Sequence, residues 1–245
     1  MVDVISVENM RLSDAAAING GIPSLELMMR AARGIYDLSK PSGRTAIVVG
    51  SGNNGGDGFA LACIMADEGN IPDIITVTDH YSPDSAYYME KALDLSVRII
   101  DFKKGEGIFL DYDTIVDCLL GTGFKGEAGG RYGDAIEEIN EAGSKVIRGH
   151  KRYIISADIN SGLNGDSGEG TCAVASDLTV SVGSHKRGVI LSYLSDRRLV
   201  GAVACCDIGI AVLRKEDLFL TDGEWEEMGF PDNERIHKDG TIYYR

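Results

Sequence analysis

The chain has 245 residues, of which 44% are hydrophobic, and a single α/β core can reach this size. It carries 24 Lys and Arg against 38 Asp and Glu, which gives a net charge of −14. Because the field of such a protein repels phosphate backbones and anionic lipids, the charge excludes nucleic acids and membrane surfaces as partners. We expect one domain over residues 1–245, in which any anionic ligand is bound by local donors.

Targeting and redox signals are missing from the sequence. The N-terminus has neither the positive flank nor the apolar segment of a leader, and no run approaches 18 apolar residues. The five cysteines are odd in number and, like the four histidines, show no metal-ligand spacing. We therefore expect a soluble, cytoplasmic protein. Adjacent Cys205 and Cys206 lie in a predicted strand, which favours small core residues over a redox pair.

The first 40 residues or so are predicted to form a helical arm. A short helix is expected over about Val7–Ile18. A second helix starts with Ser24 as its N-cap and carries apolar residues at three- and four-residue steps as far as Leu38. The sequence Pro-Ser-Gly at 41–43 ends the arm.

From Thr45 onward, short apolar runs alternate with helical stretches. The predicted strands are Thr45–Val49, Asp73–Thr78, Val97–Asp101, Thr114–Leu119, Tyr153–Ala157, Leu178–Val182 and Val200–Cys206. The predicted helices between them are Gly58–Glu68, Pro83–Leu95 and Tyr132–Ala142. This alternation predicts a Rossmann-like, doubly wound three-layer sandwich, with a mainly parallel sheet and helices on both faces. Ligands of such sheets bind outside the carboxyl ends of the strands.

The first loop at that edge, over 50–58, contains five glycines and leads into a helix, whose free N–H groups can bind an anion. Its G-x-G-x-x-G spacing, with Asp79 at the end of the next strand, also fits a dehydrogenase. That motif does not explain Asn53, Asn54 and Asp57, which look like additional ligand groups. Alternatively, the asparagines support a left-handed turn and Asp57 caps the helix.

The second loop follows the strand that contains Asp117. A carboxylate near the end of an apolar strand is costly to desolvate unless a cationic group meets it. Lys125 could neutralise a phosphate, together with the backbone N–H groups of Gly121 and Gly123. A plain surface turn is an equal alternative when this loop is considered alone.

The third loop begins with Asp158, and Ser161 follows it in the same turn. Alone, these residues fit a simple Asx or Ser turn. Together, however, the three loops offer oxygen ligands on Asn54, Asp117 and Ser161. Hard oxygen donors with one negative charge suit an alkali cation better than Zn²⁺, which favours His and Cys.

Several segments, in this order, resemble the NAD(P)H-hydrate epimerases, a family also called the YjeF N-terminal domain. The resemblance extends over about residues 5 to 212. The matching segments are 9–10, 21–24, 27–28, 52–58, 116–117, 121–123, 158–163, 166–168, 186–188 and 207–210.

The resemblance implies epimerisation of the C6 hydroxyl of hydrated NADH or NADPH from R to S, a cofactor repair step. Asp158 is then the acid–base group, able to protonate the departing hydroxyl. The resemblance places one K⁺ per subunit on Asn54, Asp117 and Ser161, and it implies a homodimer to which the N-terminal helices contribute. It places substrate contacts on Asn53, Asn54, Gly55, Gly56, Asp57, Gly121, Thr122, Gly123, Phe124, Lys125, Gly126, Glu127 and Asp158. Lys186 is either a further contact or an ordinary surface lysine.

The chain departs from the family pattern at three places. Asn160 replaces the usual proline, which predicts a loop that is less rigid or differently hydrogen-bonded. The helical segment 27–32 lacks the family's glutamate and glycine. Residues 235–240 resemble the junction at which longer relatives continue into an ATP- or ADP-dependent dehydratase. We expect that activity to belong to a separate protein.

Three alternatives stay open at this stage. An NAD-dependent dehydrogenase would use the glycine motif but not Asp117 or Ser161. A non-catalytic module that binds nucleotides or a protein would be favoured by loss of the loop acids, yet Asp57, Asp117 and Asp158 are all present. A kinase-like dehydratase would need the missing C-terminal half.

Overall fold

A computed structural model describes residues 4–147, 149–214, 235–236 and 242–243. In chain order, the strands are β1 (Val4–Ile5), β2 (Thr45–Val49), β3 (Asp73–Thr76), β4 (Arg98–Asp101), β5 (Thr114–Cys118), β6 (Val146–Ile147), β7 (His150–Lys151), β8 (Tyr153–Ala157), β9 (Leu178–Val182), β10 (His185–Lys186), β11 (Ala202–Cys206), β12 (Arg235–Ile236) and β13 (Ile242–Tyr243). The helices are α1 (Val7–Asn19), α2 (Ser24–Ser39), α3 (Asn53–Asp67), α4 (Pro83–Asp94), α5 (Gly130–Ser144), α6 (Arg187–Ser195) and α7 (Arg197–Val200), with a 3₁₀ turn over Ile108–Asp111.

Seven strands form one parallel sheet in the order β11-β9-β8-β5-β2-β3-β4. The chain builds outward from β2 to β3 and β4, and then returns to β5 on the other side of β2. The order of the strands therefore reverses between β2 and β5, and a crevice opens at such a point in doubly wound sheets. The predicted fold class is confirmed.

Successive side chains along each strand point to opposite faces of the sheet, which divides the core into two layers. In β2, Ile47 and Val49 pack with α2 and α3, whereas Ala46 and Val48 pack with Phe109 and the α5 side. All five residues of this strand are buried, as expected for a central strand covered on both faces. Cys205 and Cys206 are also buried and unoxidised, which confirms their interpretation as core residues.

The predicted helix boundaries differ from the structure mainly at α3. This helix begins at Asn53 rather than near Gly58, so the glycine-rich segment is its first turn. The glycines serve close packing, because a Cβ on Gly55 would lie 2.1 Å from the carbonyl oxygen of Gly50. Gly52 is the N-cap and no side chain caps the helix, which rules out a capping role for Asp57.

Smaller differences occur elsewhere. Pro23 rather than Ser24 is the N-cap of α2, and α5 continues through Gly143 to Ser144. The predicted cap at Ser82 is confirmed, since its side chain accepts a hydrogen bond from the Ser85 N–H. Helices α6 and α7 were not predicted. Within the described residues, no helix combines the length and hydrophobicity needed to cross a membrane.

The N-terminal arm is attached to the rest of the protein beside the carboxyl edge of the sheet. Strand β1 pairs in parallel with β10, so that Ile5 lies opposite Lys186. The N–H of Val7 donates to the Asp166 carboxylate at 2.9 Å, which fixes the start of α1 to the loop after β8. The arm thereby places α1 and α2 beside the crevice.

Candidate active site

A cavity of about 560 Å³ lies at the carboxyl edge of the sheet, between the loops after β2, β5 and β8 and the helices α1 and α2. Its wall contains the predicted substrate residues Asn53, Asn54, Asp57, Gly121, Thr122, Gly123, Phe124 and Asp158. Gly55 and Gly56 are buried behind the wall, where a Cβ on Gly56 would lie 2.5 Å from Met28. Lys125, Gly126 and Glu127 are exposed and lie outside it.

The N-terminus of α3 forms one end of the cavity. Gly52, Asn53 and Asn54 line the wall, and the first four N–H groups of a helix have no intrahelical acceptor. A Cβ on Gly52 would meet no atom within 4 Å, so this helix end is open to a ligand. The arrangement offers N–H donors and the positive end of a helix dipole to an anion.

Close backbone packing holds the loops after β2 and β5 together. A Cβ on Gly50 would lie 1.9 Å from the carbonyl oxygen of Leu119, a separation that no side chain permits. The Tyr132 hydroxyl accepts a hydrogen bond from the Ser51 N–H at 3.1 Å and braces the same turn. The relative position of the two loops is therefore set by main-chain contact.

Asp117 lies beneath the cavity, fully buried, and its carboxylate accepts four hydrogen bonds. The donors are the Ser161 hydroxyl (2.5 Å) and N–H (2.9 Å), the Ser156 hydroxyl (2.9 Å) and the Leu119 N–H (3.2 Å). Burial raises the pKa of Asp117, and these hydrogen bonds oppose the shift. The carboxylate thus connects β5, β8 and the loops that follow them.

The three predicted potassium ligands meet around the carbonyl group of Leu120. The Asn54 amide donates to this oxygen at 3.2 Å, and the Ser161 hydroxyl, which donates its proton to Asp117 at 2.5 Å, lies 3.2 Å from the same oxygen. Asn54 Oδ1 is buried and has no hydrogen-bond partner in the described part of the chain. This acceptor without a donor lies near hydroxyl, carbonyl and carboxylate oxygens. Such a set of oxygen ligands fits a hard monovalent cation.

Asp158 forms an ion pair with Lys186 in the cavity wall. The Lys186 ammonium donates to Asp158 Oδ1, and also to the carbonyl oxygen of Val182 at 2.6 Å. Lys186 is 1% exposed, so it is not a surface lysine. Burial lowers the pKa of Lys186, but the Asp158 carboxylate beside it contributes most to a net increase.

The backbone of Asp158 is unusual. Its φ of +66° lies in the left-handed region, which costs energy for a residue with a Cβ. The conformation is held by hydrogen bonds from the Asp158 N–H to the Val180 carbonyl oxygen (2.8 Å) and from the Val182 N–H to Asp158 Oδ1 (3.2 Å). These bonds direct the carboxylate toward Lys186.

Two further carboxyl groups face this pair, one of which the sequence analysis did not identify. Asp14 lies on α1 between Met10 and Ile18, and these three residues, four apart, all line the cavity. Burial raises the pKa of Asp14 to about 6, and Lys186 opposes the shift. Burial also raises the pKa of Asp57 well above its usual range, with Asp158 and Asp14 adding to the effect. A lone acid at helical spacing within an apolar stripe was the available signal.

Asn160 is fully buried, which settles the question about the loop after β8. Its side-chain amide donates to the carbonyl oxygens of Val174 (2.9 Å) and Leu199 (3.0 Å) and to the Ser176 hydroxyl (2.9 Å). Its Oδ1 accepts from the Thr179 hydroxyl at 2.8 Å. The loop is therefore hydrogen-bonded in a different way from one held by proline.

The remaining predicted features lie away from the cavity. Asp79, the ribose ligand of the dehydrogenase alternative, has a side chain that is 91% exposed and is not part of the wall. Of the predicted junction over 235–240, the structure describes only 235–236, and the other positions fall outside the described residues.

Comparison with known proteins assigns the family. Residues 24–188 match the model described as YjeF-related protein N-terminus. Over 229 residues the chain is 34% identical to an NAD(P)H-hydrate epimerase of Lentilactobacillus buchneri, a match that covers 86% of this chain and 96% of the relative. The chain belongs to the YjeF N-terminal family.

Members of this family occur alone or within longer proteins. Over 214 residues the chain is 31% identical to a bifunctional NAD(P)H-hydrate repair enzyme of Archaeoglobus fulgidus, a match that covers 85% of this chain and 42% of the relative. The crystal structure of yeast ynu0 superimposes with a TM-score of 0.71 and 17% identity over all of both chains. That structure shows the same fold.

Proposed function

We propose that this protein is an isomerase that epimerises the C6 hydroxyl of hydrated NADH and NADPH from R to S. The observation that carries the proposal is the Asp158–Lys186 ion pair, which lies in the same cavity wall as the free N-terminus of α3. One end of the cavity thus suits phosphates and the other suits a reacting ring. Its relatives include proteins named for this activity.

The cavity offers contacts for both ends of such a substrate. The pyrophosphate of a dinucleotide fits the N–H groups of α3 and the backbone of Gly121 and Gly123. The hydrated ring then lies toward Asp158, against apolar side chains such as Leu27 and Met28. Fixing both ends of the substrate reduces the entropy that the reaction step must lose.

Asp158 is proposed as an acid–base residue. Loss of the C6 hydroxyl leaves a cationic ring, stabilised by the ring nitrogen, and water then returns to the opposite face. The Asp158 carboxylate, paired with the Lys186 ammonium, can stabilise that cation and accept the proton of the incoming water. In the sequence-based hypothesis, a neutral Asp158 first protonates the departing hydroxyl and then stabilises the cationic ring as a carboxylate. The proposal keeps the second of these roles.

A potassium ion is proposed to bind at Asn54, Asp117 and Ser161, one per subunit. Asn54 Oδ1, which has no hydrogen-bond partner among the described residues, supports this assignment. A cation bound to this oxygen would take the place of the missing donor. When bound, the ion contributes electrostatic attraction between the three loops. The protein's own residues already hold those loops through Asp117 and the Leu120 carbonyl.

The assembly and cellular setting also belong to the proposal. We propose a homodimer formed with the N-terminal helices, where Ile18 on α1 is 42% exposed. Five free thiols fit a reducing compartment such as the cytoplasm. Because a bifunctional relative carries out NAD(P)H-hydrate repair, a separate ATP- or ADP-dependent dehydratase is the proposed functional partner.

The proposal is tested with pure (6R)-hydrates of NADH and NADPH, whose conversion to the (6S) forms is followed by chromatography with K⁺ or tetramethylammonium. We expect acceleration over the spontaneous rate, greater in K⁺. Asp158→Asn should lower kcat by about 10²- to 10⁴-fold, the usual contribution of a general acid or base. A protein that binds the hydrates without accelerating conversion would instead be a binding module.

Asp37→Asn is the matched control. Asp37 has a side chain that is 25% exposed, forms only a 3.9 Å ion pair with Arg33, and lies on α2 outside the cavity wall. Its kcat should equal that of the wild type. An unchanged rate for Asp158→Asn in a folded protein would remove the assignment of Asp158.

A further inference from the structure

We infer that Asp14 is a second catalytic residue, which exchanges a proton with the C6 hydroxyl from the α1 wall while Asp158 does so from the sheet edge. The inference rests on the proposed function and adds to it a residue from the N-terminal arm. It begins from the position of Asp14, which lines the cavity on a different element from every other proposed site residue.

The carboxyl group of Asp14 lacks a partner in the part of the chain that the structure describes. Among the described residues, its carboxyl group forms no hydrogen bond and no ion pair, although it is partly buried. The nearest base on its own helix, Arg11, is engaged by Glu8 through two bonds of 2.8 and 2.9 Å. A partly buried carboxyl group without a partner is unfavourable for stability, and such groups are typical of functional sites.

A second observation shows that this space is built for a ligand. Asn54 is 6% exposed and lines the same cavity, and its Oδ1 has no partner within the described chain. Asn54 and Asp57 are three residues apart in the first turn of α3, so they lie on one side of that helix. Two helices that border the cavity therefore carry polar atoms that the described residues leave without a partner, the Asp14 carboxyl group on α1 and Asn54 Oδ1 on α3.

Asp14 is surrounded by other charged side chains of the cavity. The groups that face Asp14 are Lys186 on β10, Asp158 after β8 and Asp57 on α3. Lys186 is already bound to Asp158 and to the Val182 carbonyl oxygen, so it neutralises Asp158 rather than Asp14. Since burial raises the pKa of Asp14 to about 6, Asp14 gains and loses a proton near neutral pH.

Two groups are needed because water must leave one face of the ring and enter the other. Neutral Asp14 donates its proton to the C6 hydroxyl, the C6–O bond breaks, and water departs with the bonding electrons. The lone pair of the ring nitrogen forms a C=N bond to C6. Water then adds to the opposite face and gives a proton to the Asp158 carboxylate. Asp14 ends ionised and Asp158 ends neutral, and exchange with solvent restores both.

Asp57 has a different place in this scheme. It belongs to the first turn of α3, where the substrate phosphates are proposed to bind. Burial raises its pKa, which favours the protonated form and reduces repulsion of those phosphates.

The test compares wild-type protein, Asp14→Asn, Asp14→Glu and Asp37→Asn in the hydrate assay from pH 5 to 9, with the spontaneous rate subtracted. Wild-type kcat should fall as pH rises above about 6, because the proton donor ionises. Asp14→Asn should lower kcat by about 10²- to 10⁴-fold with KM within threefold, and its kcat should no longer fall over that range. Asp14→Glu should recover part of the rate, and Asp37→Asn should match the wild type.

An Asp14→Asn variant that keeps the wild-type rate and pH profile would overturn the inference while leaving the proposed function intact. An inactive wild-type protein would instead reject the proposed function. If Asp14→Asn does not fold, Asp14→Glu decides, because a displaced carboxyl group should change kcat and its pH profile. Unchanged kinetics in that variant would also reject the inference.

Discussion

Two carboxylates lie at the ends of adjacent strands and have different roles, one structural and one reactive. Asp117, at the end of β5, is fully buried and accepts four hydrogen bonds. Asp158, after β8, lies in a cavity with the carboxyl groups of Asp14 and Asp57, which have no hydrogen-bond partner among the described residues. The Asp117 carboxylate is bound by donors of the protein itself, whereas the cavity retains carboxyl groups that a ligand can use. Asp117 and Asp158 thus share a position at the end of a strand. They differ in how far donors of the protein itself bind the carboxylate, and this difference separates the structural residue from the reactive one.

The largest expected effect on stability comes from removing the Asp117 carboxylate and its four hydrogen bonds. Asp117→Ala would leave the Leu119 and Ser161 N–H groups and two hydroxyls buried without an acceptor. We expect the free energy of unfolding to fall by about 4 kcal/mol, measured by urea denaturation. Ser156→Ala, which removes one of these donors, should cost about 1 kcal/mol. Equal losses for the two variants would show that the three other hydrogen bonds to Asp117 add nothing to the stability of the fold.

A smaller loss is expected at Asn160, which holds the loop after β8 that contains Asp158 and Ser161. Asn160→Ala removes three donated hydrogen bonds and one accepted bond from a fully buried position. Unfolding free energy should fall by about 2 to 3 kcal/mol, and kcat should fall because Asp158 and Ser161 shift. Asn140→Ala is the control, since that half-buried side chain makes two bonds, to Ala173 and Ala175, and should cost about 1 kcal/mol.

Asn160→Pro sharpens this prediction. It restores the residue usual in the family but removes the same four hydrogen bonds. We expect it to be less stable than the wild type, because the surrounding carbonyl and hydroxyl groups are arranged for an amide. Wild-type stability in Asn160→Pro would mean that backbone rigidity alone holds the loop.

The smallest expected effect has the opposite sign and concerns Asp14. Since the pKa of Asp14 is raised in the folded protein, its ionisation destabilises the fold, beginning above the unfolded value and complete above about pH 6. Asp14→Asn should therefore raise the free energy of unfolding at pH 8 by about 1 to 2 kcal/mol after allowance for partial exposure, and have little effect at pH 4. Urea denaturation at both pH values measures this. A loss of stability at pH 8 would indicate a structural role.

Much of the framework was predictable from local sequence. All seven strands of the main sheet coincide with apolar runs such as Thr45–Val49, because central parallel strands are buried on both faces. Chain order then places Asn54, Asp117 and Asp158 at one edge. The start of helix α3 was harder to predict, because the glycines of its first turn are unfavourable in an isolated helix. The protein tolerates them there because they allow close packing against Gly50.

The sequence by itself thus determined the fold class, through the alternation of strands and helices. It also determined the three loops of the site, through the glycines and carboxylates at the strand ends. Both features depend on residues that are close together in the chain. Only the tertiary structure brought Asp14 and Lys186 to Asp158. That arrangement depends on β1 pairing with β10 and on α1 lying beside the cavity. Asp14 is more than 140 positions from both Asp158 and Lys186, and Lys186 follows Asp158 by 28, so their charge and burial leave no local pattern in the sequence.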